Sequence, residues 1–334
     1  MLSYVLTRYG DASGMQLREV PDPSPAADEV LVEVHAAGLN PVDYKIRQGK
    51  LRPLFQLDLP LVTGSELAGV VIETGQAVTR FSVGDRVFAR VDKRRMGAFA
   101  EFAAVHQDLV AGMPVGLDFA QAAGLPLAGL TALQALRDEL ALGPGKRVFI
   151  SGGAGGVGTL AIQLATWLGA EVATTASPRG ADLVRRLGAT QVVDYTSQRV
   201  GDVISGYDAA LDLVGGPSLV DAIDAVRPGS TVVSIAGPPD PDGARRAVAV
   251  GPVVATLLRL ASRKVRRQAR QRQVTYRYLF MQPSGTDLAL LAKLVDEQAL
   301  EIVIDRTFPF GEIGDAFSYL EQGRAKGKVT VTMK

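Results

Sequence analysis

Cysteine is absent from this chain, and its 334 residues include only two histidines and one tryptophan. Without thiols there is no disulfide, no thiolate nucleophile and no cysteine metal site. His35 and His106 are the whole imidazole inventory, which leaves little for histidine-based catalysis or metal ligation. Each reads as a surface side chain. A dominant charge is also missing. Lys and Arg number 36 against 35 Asp and Glu, a net charge of +1, so no global field draws the chain to nucleic acid or to a membrane. Long apolar runs are missing as well. The longest, residues 247–258, is broken by Gly251, Pro252 and Thr256 and is shorter than the roughly 20 residues that a spanning helix needs. The opening MLSYVLTRYG has no apolar signal core, and a cytoplasmic protein is expected. Glycine, by contrast, is plentiful: 36 residues at turn-like positions rather than in a repeat. Many short strand–loop joints follow from that.

The length suits two domains of ordinary size. Residues 1–125 read as β-rich. DEVLVEVHAAG alternates with period two, placing Val30, Val32 and Val34 on one face. LAGVVIETG, VGDRVFAR and GAFAEFAAV (97–105) are further short strands between glycine turns. Together they predict a barrel-like β domain. From residue 126 the period changes to that of helices alternating with strands. LAGLTALQALRDEL is helical; RVFIS, EVATTA, QVVDY, YDAALDLVG and STVVSIAG are strands with helices between them. That alternation implies a parallel sheet covered by helices on both faces. Strand YLFM (278–281), helix GTDLALLAKLVDEQAL and a last alternating stretch, KVTVTMK, follow. The last is expected to return the chain to the first domain. The expected boundaries are 1–125, 126–283 and a C-terminal segment, 284–334.

One stretch carries cofactor chemistry. In VFISGGAGGVGTLAIQLA a G-x-G-x-x-G falls at Gly153, Gly155 and Gly158, after a strand and at the start of a helix. In that context one glycine makes a tight turn, one admits a pyrophosphate to the backbone and one lets helix pack on strand. The helix N-terminus then offers free N–H groups to the phosphates. An NAD site places Asp or Glu at the end of the second strand. This chain has ATTASPRG there. Ser177 and Arg179 instead suit a 2′-phosphate, with Tyr195, at the end of the next strand, beside the adenosine. NADP(H) is the expected cofactor. Trp167, on the helical stripe after the glycine loop, reads as core.

The phrases AAGLNPVDYKIRQG, GSELAGVV, FSVGDRVFA, AAGLPLAGLTAL, GAGGVGTLAIQLA and GRAKGKVTV resemble the medium-chain dehydrogenase/reductase superfamily, in its zinc-independent quinone oxidoreductase and enone (alkenal) reductase branch. The match runs over essentially the whole chain. The resemblance implies an α/β fold: a GroES-like β-barrel catalytic domain plus a Rossmann doubly wound parallel-sheet domain for the nucleotide, usually as a homodimer. Zinc-dependent relatives have Cys at the position of Asn40 and His at that of Ser65, beside Glu66, so no metal is expected and Glu66 is read as a structural hydrogen-bonding group. The resemblance places a lysine at the position of Lys45 by substrate and cofactor, and an asparagine at that of Asn40 near the nicotinamide. With Tyr44 these are the candidate donors to an oxygen on which charge builds; Asp43 is read as holding the loop. Proton delivery to the α-carbon is left between water and Tyr44. Further cofactor contacts implied by motif are Thr131, Gly156, Val157, Val214, Ala236, Gly237, Phe280, Met281, Gly327 and Lys328. Relatives commonly have Lys where this chain has Gly180, so Arg179 is read as its substitute.

The expected activity is NADPH-dependent reduction of a quinone or an enone. Two alternatives stay open: an activated acid such as a haloacrylate as acceptor, or a non-catalytic NADPH-binding protein. The latter arises from the stretch 259–277, with eight Lys or Arg and no acid, which suits RNA, a partner or an anionic surface. Its default reading is a solvated helix, with neither membrane nor nucleic acid expected as partner. The shape of the acceptor pocket is assigned to the loops around 44–56 and 240–280.

Overall fold

Short strands between glycine turns build the first of two units, Met1–Leu130 with Gln282–Lys334. The computed structural model describes residues 1–333 except 53, 55, 56 and 249, and the side chain of Arg246 is also undescribed. Parts of the pocket loops, of the apolar run 247–258 and the last residue of KVTVTMK thus lie outside the described residues. The first eight strands are β1 (Leu2–Leu6), β2 (Met15–Glu19), β3 (Glu29–Leu39), β4 (Leu61–Val62), β5 (Glu66–Thr74), β6 (Arg86–Arg90), β7 (Phe102–His106) and β8 (Val110–Gly112). β1 lies between β2 and β4. β3 pairs antiparallel with β5 and β7, and β5 leads on to β6 and β8. The alternating valines of β3 are buried with Leu67, Val71, Val87 and Val105 in one apolar cluster, while Ala37 and Leu39 at its end join a second with Leu6, Phe99 and Val331. The strand expected over 97–105 begins later, at Phe102; Ala98, Phe99 and Ala100 are buried in non-strand backbone, joined to β1 by one bridge at Ser3.

The second unit is Thr131–Met281. It holds β9 (Arg147–Ile150), β10 (Glu171–Ala176), β11 (Gln191–Asp194), β12 (Tyr207–Asp212), β13 (Val226–Ser234) and β14 (Thr275–Tyr278). They form one sheet in the order β11-β10-β9-β12-β13-β14, with every neighbour parallel. Their central residues, among them Val148, Phe149, Ile150, Val172, Ala173, Ala210, Leu211, Val232 and Val233, are buried and apolar, as strands covered by helices require. The intervening helices Pro178–Arg186 and Pro217–Ala225 start on proline, whose fixed φ and missing N–H suit a first helical position. The order reverses between β9 and β12, and a ligand crevice opens beyond the carboxyl ends of strands at such a point.

Two expectations about this unit are corrected. The sixth strand is TYRY rather than YLFM: the side chains that enter the core are Val274 and Tyr276, and Tyr276 anchors its hydroxyl on the Pro238 carbonyl at 2.7 Å. Trp167 is 43% exposed. The buried stripe of its helix, Gly156–Trp167, ends at Leu164 and Ala165, and the last residue projects to solvent.

The chain then re-enters the first unit. β15 (Ile304–Pro309) pairs with β16 (Lys328–Thr332), and β16 pairs antiparallel with β3, setting Val329 opposite Leu39.

Candidate active site

In the first unit, β3, β5, β6 and β16 bring polar side chains into a dry interior. Asn40, Asp43, Ser65, Glu66, Arg90 and Lys328 are all buried. The Lys328 ammonium donates to Glu66 Oε1 at 2.7 Å, Asn40 Oδ1 at 2.6 Å and the Leu39 carbonyl at 3.3 Å. Its three protons are thereby used within the protein. Asn40 Nδ2 donates to Glu66 Oε1 at 2.7 Å and to the Gly38 carbonyl at 3.4 Å. Glu66 Oε2 accepts the Leu127 amide at 2.5 Å. Gly38 is required here, because a Cβ would stand 2.3 Å from Glu66 Oε1. Gly327, at φ +102°, turns the chain into β16 where a Cβ would meet the Val303 carbonyl at 2.3 Å.

Asp43 accepts the Ser65 hydroxyl at 2.6 Å and the Asn40 amide at 2.8 Å, which clamps the entry to the helix Pro41–Arg47. Burial pushes its carboxyl up to about 6, although both hydrogen bonds and the Arg90 charge favour the ionised form. Arg90 donates to the Ser65 and Val91 carbonyls at 2.9 and 2.6 Å, while its Nε has no partner among the described residues. The same helix turns Tyr44 and Lys45 to a half-buried position. Burial raises the Tyr44 phenol, with Glu321 adding to it, and lowers the Lys45 ammonium, with Lys50 adding to that. Lys45 has no ion-pair partner among the described residues. It is a cation held partly out of water with its protons unspent.

In the second unit, the glycine loop joins β9 to the helix Gly156–Trp167. The left-handed turn falls on Gly152 (φ +70°), one residue ahead of the motif's first glycine. Gly153 is required by a neighbour: its Cβ would lie 2.2 Å from Thr174 Oγ1. Gly158 is required by close packing of the helix start on the turn, 2.4 Å from the Gly152 carbonyl. Gly155, the N-cap, meets nothing closer than 3.4 Å and offers no side-chain cap. The amides of Gly156, Val157 and Gly158 find no acceptor among the described residues. Open space over Gly155 with three unpartnered donors is a cradle for an anion, and it fits a dinucleotide pyrophosphate.

The other sequence-derived positions of this unit cluster at the carboxyl ends of its strands. Ser177 is the N-cap of the helix Pro178–Arg186 and makes no side-chain cap bond. Arg179 is exposed, with no ion-pair partner among the described residues. Tyr195 follows β11 and is exposed, as is Val214 after β12. The amides of Ala236 and Gly237 are taken by Ser234 Oγ at 3.2 and 2.8 Å, so these two residues offer surface rather than donors. Thr131 is buried; Phe280, half-buried beside Met281, packs edge-on against Tyr278 at 4.9 Å.

Two groups were missed in the sequence. Asp212, fully buried, accepts from Ser151 and Ser234 hydroxyls at 3.0 and 2.6 Å and from the Gly215 amide at 3.0 Å. It thereby ties the ends of β9, β12 and β13 together. An Asp inside the apolar strand YDAALD is the clue that could have found it. Lys93 donates to Gln282 at 3.0 Å, and burial, with Arg90 adding to it, pushes its ammonium down to about 8.

The sites of Asn40, Ser65 and Glu66 do meet in space, but they do not fit zinc. An amide and a hydroxyl are poor ligands beside the thiolates and imidazoles the ion prefers, and the carboxylate already carries a protein cation. Among the described residues no three His, Cys, Asp or Glu are grouped to hold a metal.

The sequence matches two family patterns: an alcohol dehydrogenase GroES-like domain over residues 26–115 and a zinc-binding dehydrogenase over residues 187–331. A chloroplastic NADPH-dependent alkenal/one oxidoreductase of Arabidopsis thaliana is 36% identical over 99% of this chain and 79% of its own. A 2-methylene-furan-3-one reductase of Solanum lycopersicum is 34% identical over 99% of this chain and 79% of its own. The solved quinone oxidoreductase of Coxiella burnetii superposes with a TM-score of 0.84 at 32% identity, over 100% of this chain and 99% of that one. Fold, motifs and these likenesses agree: the chain belongs to the medium-chain dehydrogenase/reductase superfamily, in its quinone oxidoreductase and alkenal/one reductase branch.

Proposed function

We propose that this protein is an NADPH-dependent reductase that transfers a hydride to a quinone or to the β-carbon of an α,β-unsaturated carbonyl compound, with no metal ion in the step. The observation that carries the reading is the glycine loop, which presents three unpartnered amides over an open N-cap. The names of the relatives support the acceptor class.

When bound, the dinucleotide supplies the hydride. The chain supplies the rest. The amides of Gly156, Val157 and Gly158 hold the pyrophosphate, and Ser177 with Arg179 holds the 2′-phosphate. Tyr195, Val214, Ala236 and Gly237 give surface along the strand ends; Thr131, Phe280 and Met281 border the nicotinamide half. Hydride addition at the β-carbon moves an electron pair onto the carbonyl oxygen. Lys45 and Tyr44 donate to that oxygen, and a proton then reaches the α-carbon from Tyr44 or water. A donor of this kind contributes about 3–4 kcal/mol to the transition state. Asn40 has given both amide protons to Glu66 and Gly38, so its part is to shape the wall on which the helix Pro41–Arg47 stands. Lys328 and Gly327 fix that wall from β16.

The test uses NADPH deuterated at C4 with an alkyl vinyl ketone in light water. Deuterium at the β-carbon of a saturated ketone is expected. Deuterium at the carbonyl carbon, giving an allylic alcohol, would contradict the reading.

A further inference from the structure

Two consecutive helices carry features that the proposed site leaves unused. In the helix Pro252–Ala261, Val253, Leu257 and Leu260 are 73%, 57% and 62% exposed. Their i, i+4, i+7 spacing sets them on one stripe. The side chain this helix buries is the small Ala255, so the ordinary polarity of a surface helix is inverted. Ser262, at φ −86° and ψ 0°, links it directly to the helix Arg263–Gln271. That helix buries Ala269 and packs Val265 on the core. Arg263, Arg266, Arg267 and Arg270 lie on its opposite side by the same periodicity. With Arg259 and Lys264 they make six cations that have no ion-pair partner among the described residues. Arg272 and Arg277, by contrast, are paired with Asp224 and Glu139.

An apolar stripe that runs into unpaired cations matches a surface that is apolar just beneath a layer of negative charge. We propose that residues 252–271 dock on an anionic lipid bilayer. The three large apolar side chains seat at headgroup depth, and the cations meet the headgroup phosphates and carboxylates. A second copy of the chain fits less well. A two-fold contact through this face sets cation against cation, and three apolar side chains supply little of the roughly 800 Å² per partner of a stable interface. RNA would use the cations and leave the stripe idle, and residues 252–275 contain no aromatic on which a base could stack. The segment lies on the membrane and does not cross it: among the described residues no helix is long and apolar enough to span. The inference stands on this surface alone, whatever the acceptor.

The full chain is sedimented with phosphatidylcholine vesicles and with vesicles that also contain phosphatidylserine, at low and raised salt. Binding at least about tenfold stronger to the anionic vesicles, weakened by salt, is expected from cations near a charged surface. Leu257→Ser with Leu260→Ser, and separately Arg263→Glu with Arg267→Glu, are each expected to abolish most of it without changing the melting temperature. Equal binding to both vesicle types, no binding at low salt, or binding indifferent to both variants would overturn the proposal. So would tight binding of labelled poly(U) that only the charge variant removes, or a dimer in sedimentation equilibrium that the leucine variant splits. If either variant fails to fold, the other carries the test.

Discussion

Lys328 occupies the interior of the first unit because Glu66 and Asn40 are there to receive it, each at 2.7 Å or less. Breaking a buried ion pair by removing one partner typically costs about 3–5 kcal/mol, since the other charge is left uncompensated. Lys328→Met is therefore expected to destabilise the protein by that order in urea unfolding, and adding Glu66→Gln to restore a large part of the loss. A double variant as unstable as the sum of the singles would show that the two charges are not coupled. Asp43 has the opposite balance. Its carboxyl is raised to about 6 from 3.8 in the folded chain, so the folded state holds a proton that the unfolded state has released. Its contribution is present in full below pH 4 and is lost as pH rises through 6, by about 3 kcal/mol. Against Asp43→Asn, which cannot titrate, the parent should lose that much between pH 4 and pH 7. A constant difference across that range would refute the shift. The partners of Asp43 were not legible in the sequence. Ser65 directly precedes β5 and Arg90 ends β6, and only the register of Glu66 opposite Arg90 brings them to it.

At the scale of elements, the strand–glycine–helix unit was readable because local chemistry dictates it: β9, the loop and the helix Gly156–Trp167 follow one another in sequence. What was not readable is which glycine does what. Gly152 takes the positive φ, and Gly153 is needed chiefly because Thr174 of the neighbouring strand lies against it. Gly153→Ala should therefore weaken cofactor binding and stability together, whereas adding Thr174→Ala, which removes the oxygen that the new Cβ would strike, should partly relieve both; cofactor titration with a melting curve reads the two. Ser177 and Arg179 stand at one helix start, free of caps and ion pairs among the described residues. Arg179→Ala is expected to raise the Kd for NADPH roughly tenfold or more, the worth of a charge-assisted contact, and to leave NADH almost unchanged; equal effects on both would remove Arg179 from the 2′-phosphate. The sixth strand was misplaced because Leu279 and Met281 are as apolar as Tyr276, and pairing with β13 selects Thr275–Tyr278 instead. Exposure of Val253, Leu257 and Leu260 was equally hidden, since an apolar stripe reads the same facing in or out.

At the scale of the whole chain, the change of period near residue 126 separated two kinds of unit, because strands beside glycine turns and strands between helices each leave a distinct pattern, and the run of spaced motifs carried the resemblance to the superfamily. The return of the chain through β16 to β3 rests on seven alternating residues and becomes visible only as a pairing. The acceptor is the least legible property, since its pocket depends on loops and not on periodic elements. The central claim is that the chain moves a hydride from NADPH to a quinone or an enone. It is tested most directly by following NADPH consumption with a benzoquinone, an alkyl vinyl ketone, a 2-alkenal and a haloacrylate, each repeated with NADH. The account expects turnover with the quinone or the enones and a clear preference for NADPH. Tight NADPH binding with no turnover on any acceptor, or turnover on the haloacrylate alone, would contradict it.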